Sequence, residues 1–179
     1  GCPSIDLAAD QARIGYRPTQ EDIWHGVGIP VDLSRPYLLV MQHPVTTEAH
    51  EARKQITETL AAVAPSIQAV WFWPNVDAGS DGTSGGIRAF RENHSLEHVH
   101  FFKDLPPLDF LRLLYYSRGI VGNSSVAIRE CSYLGVGAVN IGTREAAIWR
   151  LFDMSATRFA QHLLNLLDNP HAAAYAPAT

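Results

Sequence analysis

Apolar positions in this chain follow two different spacings, and they alternate. Mainly apolar runs of strand length occur at Tyr37–Gln42, Gln68–Trp73, His98–Phe102, Gly119–Gly122 and Ala138–Ile141. Between the first two, Ala52, Ile56, Leu60 and Val63 recur every three or four residues while Glu51, Lys54 and Glu58 fall elsewhere, which predicts a helix near 48–64 with one buried stripe. Further helices are predicted near 86–93, over 107–116 and 125–134, and near 156–168. Strands that read as continuous apolar runs are covered on both faces, and strands alternating with helices form parallel crossovers. The expected fold is α/β: a single Rossmann-like, five-stranded parallel sheet with flanking helices.

The stretch 1–36 carries Pro and Gly with weak periodicity and is read as a lead-in segment, 37–170 as the sheet domain and the Ala-rich 171–179 as a tail. At 179 residues the chain suits one domain with a real core. A formal net charge of −4 with scattered Lys and Arg argues against a nucleic-acid partner, whose affinity would rest on phosphate neutralisation. Two cysteines make no disulfide framework, Cys131 falls on an apolar helix face, and a cytoplasmic setting is expected. No basic segment leads into a long apolar run, so neither a signal peptide nor a membrane span is expected.

The chemistry concentrates in Gly122-Asn123-Ser124-Ser125-Val126-Ala127-Ile128-Arg129-Glu130. A strand ends in glycine, two hydroxyl residues cap the next segment, and Ile128, Cys131 and Leu134 continue at helical spacing, so backbone N–H groups would face the crevice beyond the strand. Serines that merely cap a helix give the same pattern. Arg144, one β-α unit further on, would add a cation at the same sheet edge, where open parallel sheets bind their ligands. His43 closes the first strand, and Pro44 after it disfavours helical geometry there. The glycine-rich Asp77–Gly86 matches no dinucleotide or P-loop fingerprint and reads as a flexible connection or a ligand-touching loop. His94, His98 and His100 lack a fourth partner for a metal, and Trp71 and Trp73 read as core rather than as a sugar platform.

Five segments taken in order, Gln42-His43-Pro44-Val45-Thr46-Thr47-Glu48, Trp73-Pro74-Asn75-Val76-Asp77-Ala78-Gly79-Ser80, Phe101-Phe102-Lys103-Asp104-Leu105-Pro106, Gly122-Asn123-Ser124-Ser125 and Asn140-Ile141-Gly142-Thr143-Arg144, resemble the carboxy-terminal domain of UDP-N-acetylglucosamine 2-epimerases. The resemblance covers roughly residues 1–145, with Gly1-Cys2-Pro3-Ser4-Ile5-Asp6 resembling the connection between that family's two domains. It implies the carboxy-terminal half of a GT-B fold that holds UDP, and His-Pro-Val-Thr-Thr is similar to the hydrolysing enzymes, which convert UDP-N-acetylglucosamine to N-acetylmannosamine and UDP through a glycal. On that resemblance His43 is catalytic, Ser124 and Ser125 meet the phosphates, Glu130 meets the ribose and Arg144 lies near the nucleotide. It calls for no cofactor and no metal. Its partners are UDP, UDP-N-acetylglucosamine and the amino-terminal domain of the same enzyme, and a homodimer is compatible with it. Because the family's acid and base carboxylates lie mainly in that other domain, the chain by itself is expected to bind UDP weakly and not to turn over. Two alternatives stay open: half of a GT-B glycosyltransferase, and a non-catalytic UDP-sugar-binding module. Ala127, where the family usually has glycine, and Glu145, where it has glutamine, depart from the pattern.

Overall fold

The computed structural model describes residues 2–23, 26–65 and 67–142. Five short strands, β1 (Leu38–Met41), β2 (Ala69–Phe72), β3 (Val99–Phe102), β4 (Gly119–Gly122) and β5 (Ala138–Asn140), form one sheet in the order β3-β2-β1-β4-β5. Every pairing is parallel. The chain therefore lays β2 and β3 down on one side of β1, then crosses to place β4 and β5 on the other. That reversal leaves a crevice beyond the carboxyl ends of β1 and β4, where neighbouring crossovers lie on opposite faces.

Side chains alternate across the sheet and fill two cores. Leu38, Val40, Trp71, Phe101 and Val121 pack with Ile56, Leu60, Ile87 and Phe90, which come from α2 (Ala52–Val63) and α3 (Ser80–Asn93). Leu39, Val70, Phe72, Phe102 and Ile120 pack on the opposite face with Ala8, Leu111, Leu113, Leu114 and Cys131. These last residues come from α1 (Pro3–Ile14), α4 (Pro107–Tyr116) and α5 (Glu130–Leu134). The α/β class, the five parallel strands and the flanking helices are those the hydrophobic pattern predicts. Trp71 is fully buried, as a core residue should be. Among the described residues no helix is long and apolar enough to cross a membrane.

Three elements differ from expectation, each for a local reason. The lead-in segment contains α1, whose buried positions are Ala8 and Gln11, so its packing face carries no large apolar stripe to betray it. The glycine-rich connection is half helix, because α3 begins at Ser80. A Cβ at Gly86 would come within 2.5 Å of Ile56 Cγ2, so this glycine exists to let α3 lie close on α2. The helix expected over 125–134 is interrupted: a 3-10 turn spans Ser125–Ala127 and α5 starts only at Glu130. Val126 and Ile128, both β-branched, disfavour the first turn of a continuous helix. The helix expected near 156–168 and the tail lie outside the described residues.

The three clustered histidines are dispersed by the fold. The His94 ring stacks on Phe90 with centroids 3.9 Å apart, His98 is exposed ahead of β3, and His100 is buried in β3 edge-on to Phe102.

Two predictions come from this packing. Tyr37 Oη donates to the Leu113 carbonyl at 2.8 Å in the buried core, and Leu113 lies in the last turn of α4, where carbonyls run out of helical donors. Tyr37→Phe strands that carbonyl, and urea denaturation should show a loss of about 1–3 kcal/mol. The two cysteines should differ in reactivity. The Ser4 hydroxyl, the backbone N–H groups of Ile5 and Ser4 and the Arg129 charge lower the Cys2 thiol, whereas burial pushes the Cys131 thiol up to about 12. A lowered thiol holds more thiolate at neutral pH and a raised one almost none. Iodoacetamide at pH 7.5 should therefore label Cys2 and spare Cys131, as read by peptide mass mapping of the folded chain.

Candidate functional site

The register of β1 against β4 decides what meets at the crevice. Met41 lies opposite Gly122, and the Asn123 N–H donates to the Met41 carbonyl at 3.2 Å, so the pairing runs one step past the strands. Gly122 is needed at that point: its φ is +151°, and a Cβ there would fall 2.0 Å from the Met41 carbonyl oxygen. Beyond it the Asn123 side chain replaces the ladder. Its Oδ1 accepts from the His43 N–H at 2.7 Å and its Nδ2 donates to the His43 carbonyl at 2.8 Å. Asn123 itself is 2% exposed, so this pair of bonds is made out of water, where a broken one is costly.

The same clamp sets His43 at the rim. The Asn75 N–H, from the loop after β2, donates to His43 Nδ1 at 3.3 Å. A ring whose Nδ1 accepts carries its proton on Nε2 when neutral. The loops after β1 and β2 are held together lower down by Gly79, whose φ of +95° lets the start of α3 approach Pro44 and Ala49. Three consecutive sheet positions, β2, β1 and β4, thus converge on one residue, the β2 loop on its ring and the residue after β4 on its backbone.

On the β4 side, Ser124 is extended and caps the 3-10 turn, its Oγ accepting from the Val126 N–H at 3.4 Å. Ser125 does not cap. It is exposed, and its Oγ accepts from Arg129 Nη2 at 3.1 Å. The same guanidinium nitrogen stands 3.7 Å from Oε1 of Glu130. Glu130 is 4% exposed, and its second carboxylate oxygen, Oε2, is buried without a hydrogen-bond partner. Buried polar atoms are ordinarily paired, so among the described residues this oxygen is an acceptor left unmet.

Of the residues expected at the site, His43, Ser124 and Ser125 fall on the adjoining ends of β1 and β4, and Glu130 comes next on the same β4–α5 connection. Arg144 lies outside the described residues. Asn123, Asn75 and Arg129 are the contributors that residue-type reasoning passed over. Asn123 had a signal, an amide directly after a strand-ending glycine, but its partner is a backbone 80 positions away. Among the described residues no group of three or more His, Cys, Asp or Glu comes together as a metal site.

The family described as UDP-N-acetylglucosamine 2-epimerase matches residues 1–176. A UDP-N-acetylglucosamine 2-epimerase of Neisseria meningitidis serogroup B is 29% identical over 147 residues, 82% of this chain and 36% of the relative. A hydrolysing UDP-N,N'-diacetylbacillosamine 2-epimerase of Legionella pneumophila is 28% identical over 81% of this chain and 36% of its own length. The chain thus spans a little over a third of the curated relatives it matches. A crystal structure from Listeria monocytogenes, assigned as a UDP-N-acetylglucosamine 2-epimerase, superposes with a TM-score of 0.53 at 18% identity over 78% of this chain and 39% of that one. That likeness supports the fold, a GT-B-like half. Since the matched span takes in all five strands, the His43 loop and the Asn123–Glu130 connection, this chain belongs to the UDP-N-acetylglucosamine 2-epimerase family.

Proposed function

We propose that this chain is the UDP-binding half of a hydrolysing UDP-N-acetylglucosamine 2-epimerase and completes its active site only with the domain that carries the family's carboxylates. The observation that supports this best is the Asn123 clamp, which fixes the His43 backbone beside the Ser124–Ser125 turn at the switch point of the sheet. In this reading Ser124 and Ser125 offer donors to the diphosphate and Glu130 accepts from the ribose. Arg144 belongs to the same set by its place in the motif.

The chemistry explains the division. A base removes the C2 proton, the C1–O bond breaks with its electron pair leaving on UDP, and a C1–C2 double bond forms. Water then adds its hydroxyl to C1 and a proton to C2 from the other face, giving N-acetylmannosamine. Charge grows on the departing diphosphate, so donors already in place at the sheet edge lower that barrier without reorganising. A His43 ring with its proton on Nε2 is a donor of this kind. Abstraction of the weakly acidic C2 proton needs a separately positioned base.

Calorimetry on the purified 179-residue chain tests the first half: UDP should bind with a Kd on the order of 1 mM. The same chain should release no N-acetylmannosamine or UDP from UDP-N-acetylglucosamine in a coupled assay, and substantial turnover would overturn the division of labour. In the complete enzyme, His43→Ala should lower kcat by about 10²–10⁴-fold with the melting temperature nearly unchanged. A large fall in melting temperature would instead assign His43 to the fold. Formation of a glycoside rather than free N-acetylmannosamine would point to a sugar-transferring enzyme of the same architecture.

A further inference from the structure

We propose that Arg129 is a positioning residue that fixes the hydrogen-bond polarity of the nucleotide site, leaving Ser125 its hydrogen to donate beside the Glu130 carboxylate. This rests on the UDP-binding reading above and extends it to a residue that meets neither ligand half directly.

A serine hydroxyl has one hydrogen to give and two lone pairs to fill. Toward an anion only the hydrogen is useful. Arg129 Nη2 donates to Ser125 Oγ at 3.1 Å, which occupies a lone pair from the protein side and leaves the O–H as the group's outward function. A guanidinium has no acceptor, so it can never reverse this bond and draw the Ser125 hydrogen back. The capping serine is engaged in the same sense: Ser124 accepts from the Val126 N–H with one lone pair. Each hydroxyl thus accepts one bond from the chain and keeps a hydrogen to donate.

Glu130 completes the case. Its side chain is almost fully enclosed, one oxygen lies 3.7 Å from the same Arg129 nitrogen, and the other has no partner. One guanidinium therefore touches a donor suited to phosphate and an acceptor suited to a sugar hydroxyl. Arg129 is itself half exposed, and without this role its bond one helical turn back to Ser125 would be a surface contact of little weight.

A double-mutant cycle with UDP as the probe decides between these roles. Ser125→Ala, Arg129→Gln and Arg129→Met are each made alone in the 179-residue chain, each Arg129 change is also combined with Ser125→Ala, and UDP affinity is measured by calorimetry. Each Arg129 variant should bind UDP about tenfold more weakly, with a melting temperature close to that of the unchanged chain. Because Arg129 acts through Ser125, the double variant should be no more than about twofold weaker than the weaker single one. UDP affinity that survives both Arg129 changes, or losses that multiply in the double variant, would overturn the positioning role while leaving the UDP site intact. If the unchanged chain fails to bind UDP, the underlying site assignment falls and this inference falls with it.

Discussion

The arrangement of this site depends on a buried amide that does the work of a strand. A parallel sheet can carry its ladder only as far as both backbones stay extended, and here β1 and β4 must part so that their crossovers can leave on opposite faces. Asn123 bridges the gap with two bonds to one residue's backbone, His43 N–H and His43 C=O. An aspartate could accept but not donate, and a serine could not reach both, so the residue type is dictated by the geometry. The consequence is that His43 is held from three sheet positions at once, although it lies beyond the end of its own strand.

Small residues permit this convergence. Gly122 lets Met41 and Asn123 approach where a Cβ would collide with a carbonyl oxygen, and Gly79 lets the α3 loop close over Pro44 and Ala49. Neither glycine bears chemistry. Each removes a side chain that would force adjacent loops apart, and the rim is compact because of it.

Much of the fold was legible because burial imposes a period. The runs around Leu39, Val70, Phe101, Ile120 and Val139 are apolar on both faces, and the structure places every one of them in a parallel strand. The elements that escaped were held by other signals. Helix α1 packs through Ala8 and Gln11, too small or too polar for a hydrophobic stripe, yet Pro3 at its first turn, Asp6, Arg13 and Gly15 in the left-handed region are the punctuation of a helix. The Asp77–Gly86 stretch reads as loop by composition, while its glycines at 79 and 86 serve close packing against the preceding loop and helix. At the site, His43, Ser124, Ser125 and Glu130 could be named from type and motif, but Asn123 and Arg129 act through distances no spacing rule contains.

The hydroxyls and amides at this rim differ from a cluster of cations in what they can do for a departing diphosphate. Lysines would bind a nucleotide tightly before reaction and afterwards alike, and uniform binding does not speed a bond-breaking step. Hydroxyls that already accept one bond each, from Val126 and Arg129, keep a hydrogen to donate, and such donors gain most where negative charge increases. In the proposed reading, a net charge of −4 with a single guanidinium bonded to Ser125 would keep affinity modest and let the interaction strengthen as the C1–O bond opens. In the proposed reading the base that starts the reaction sits apart from this rim, because donors bonded to a carboxylate favour its ionised form and make it a weaker base.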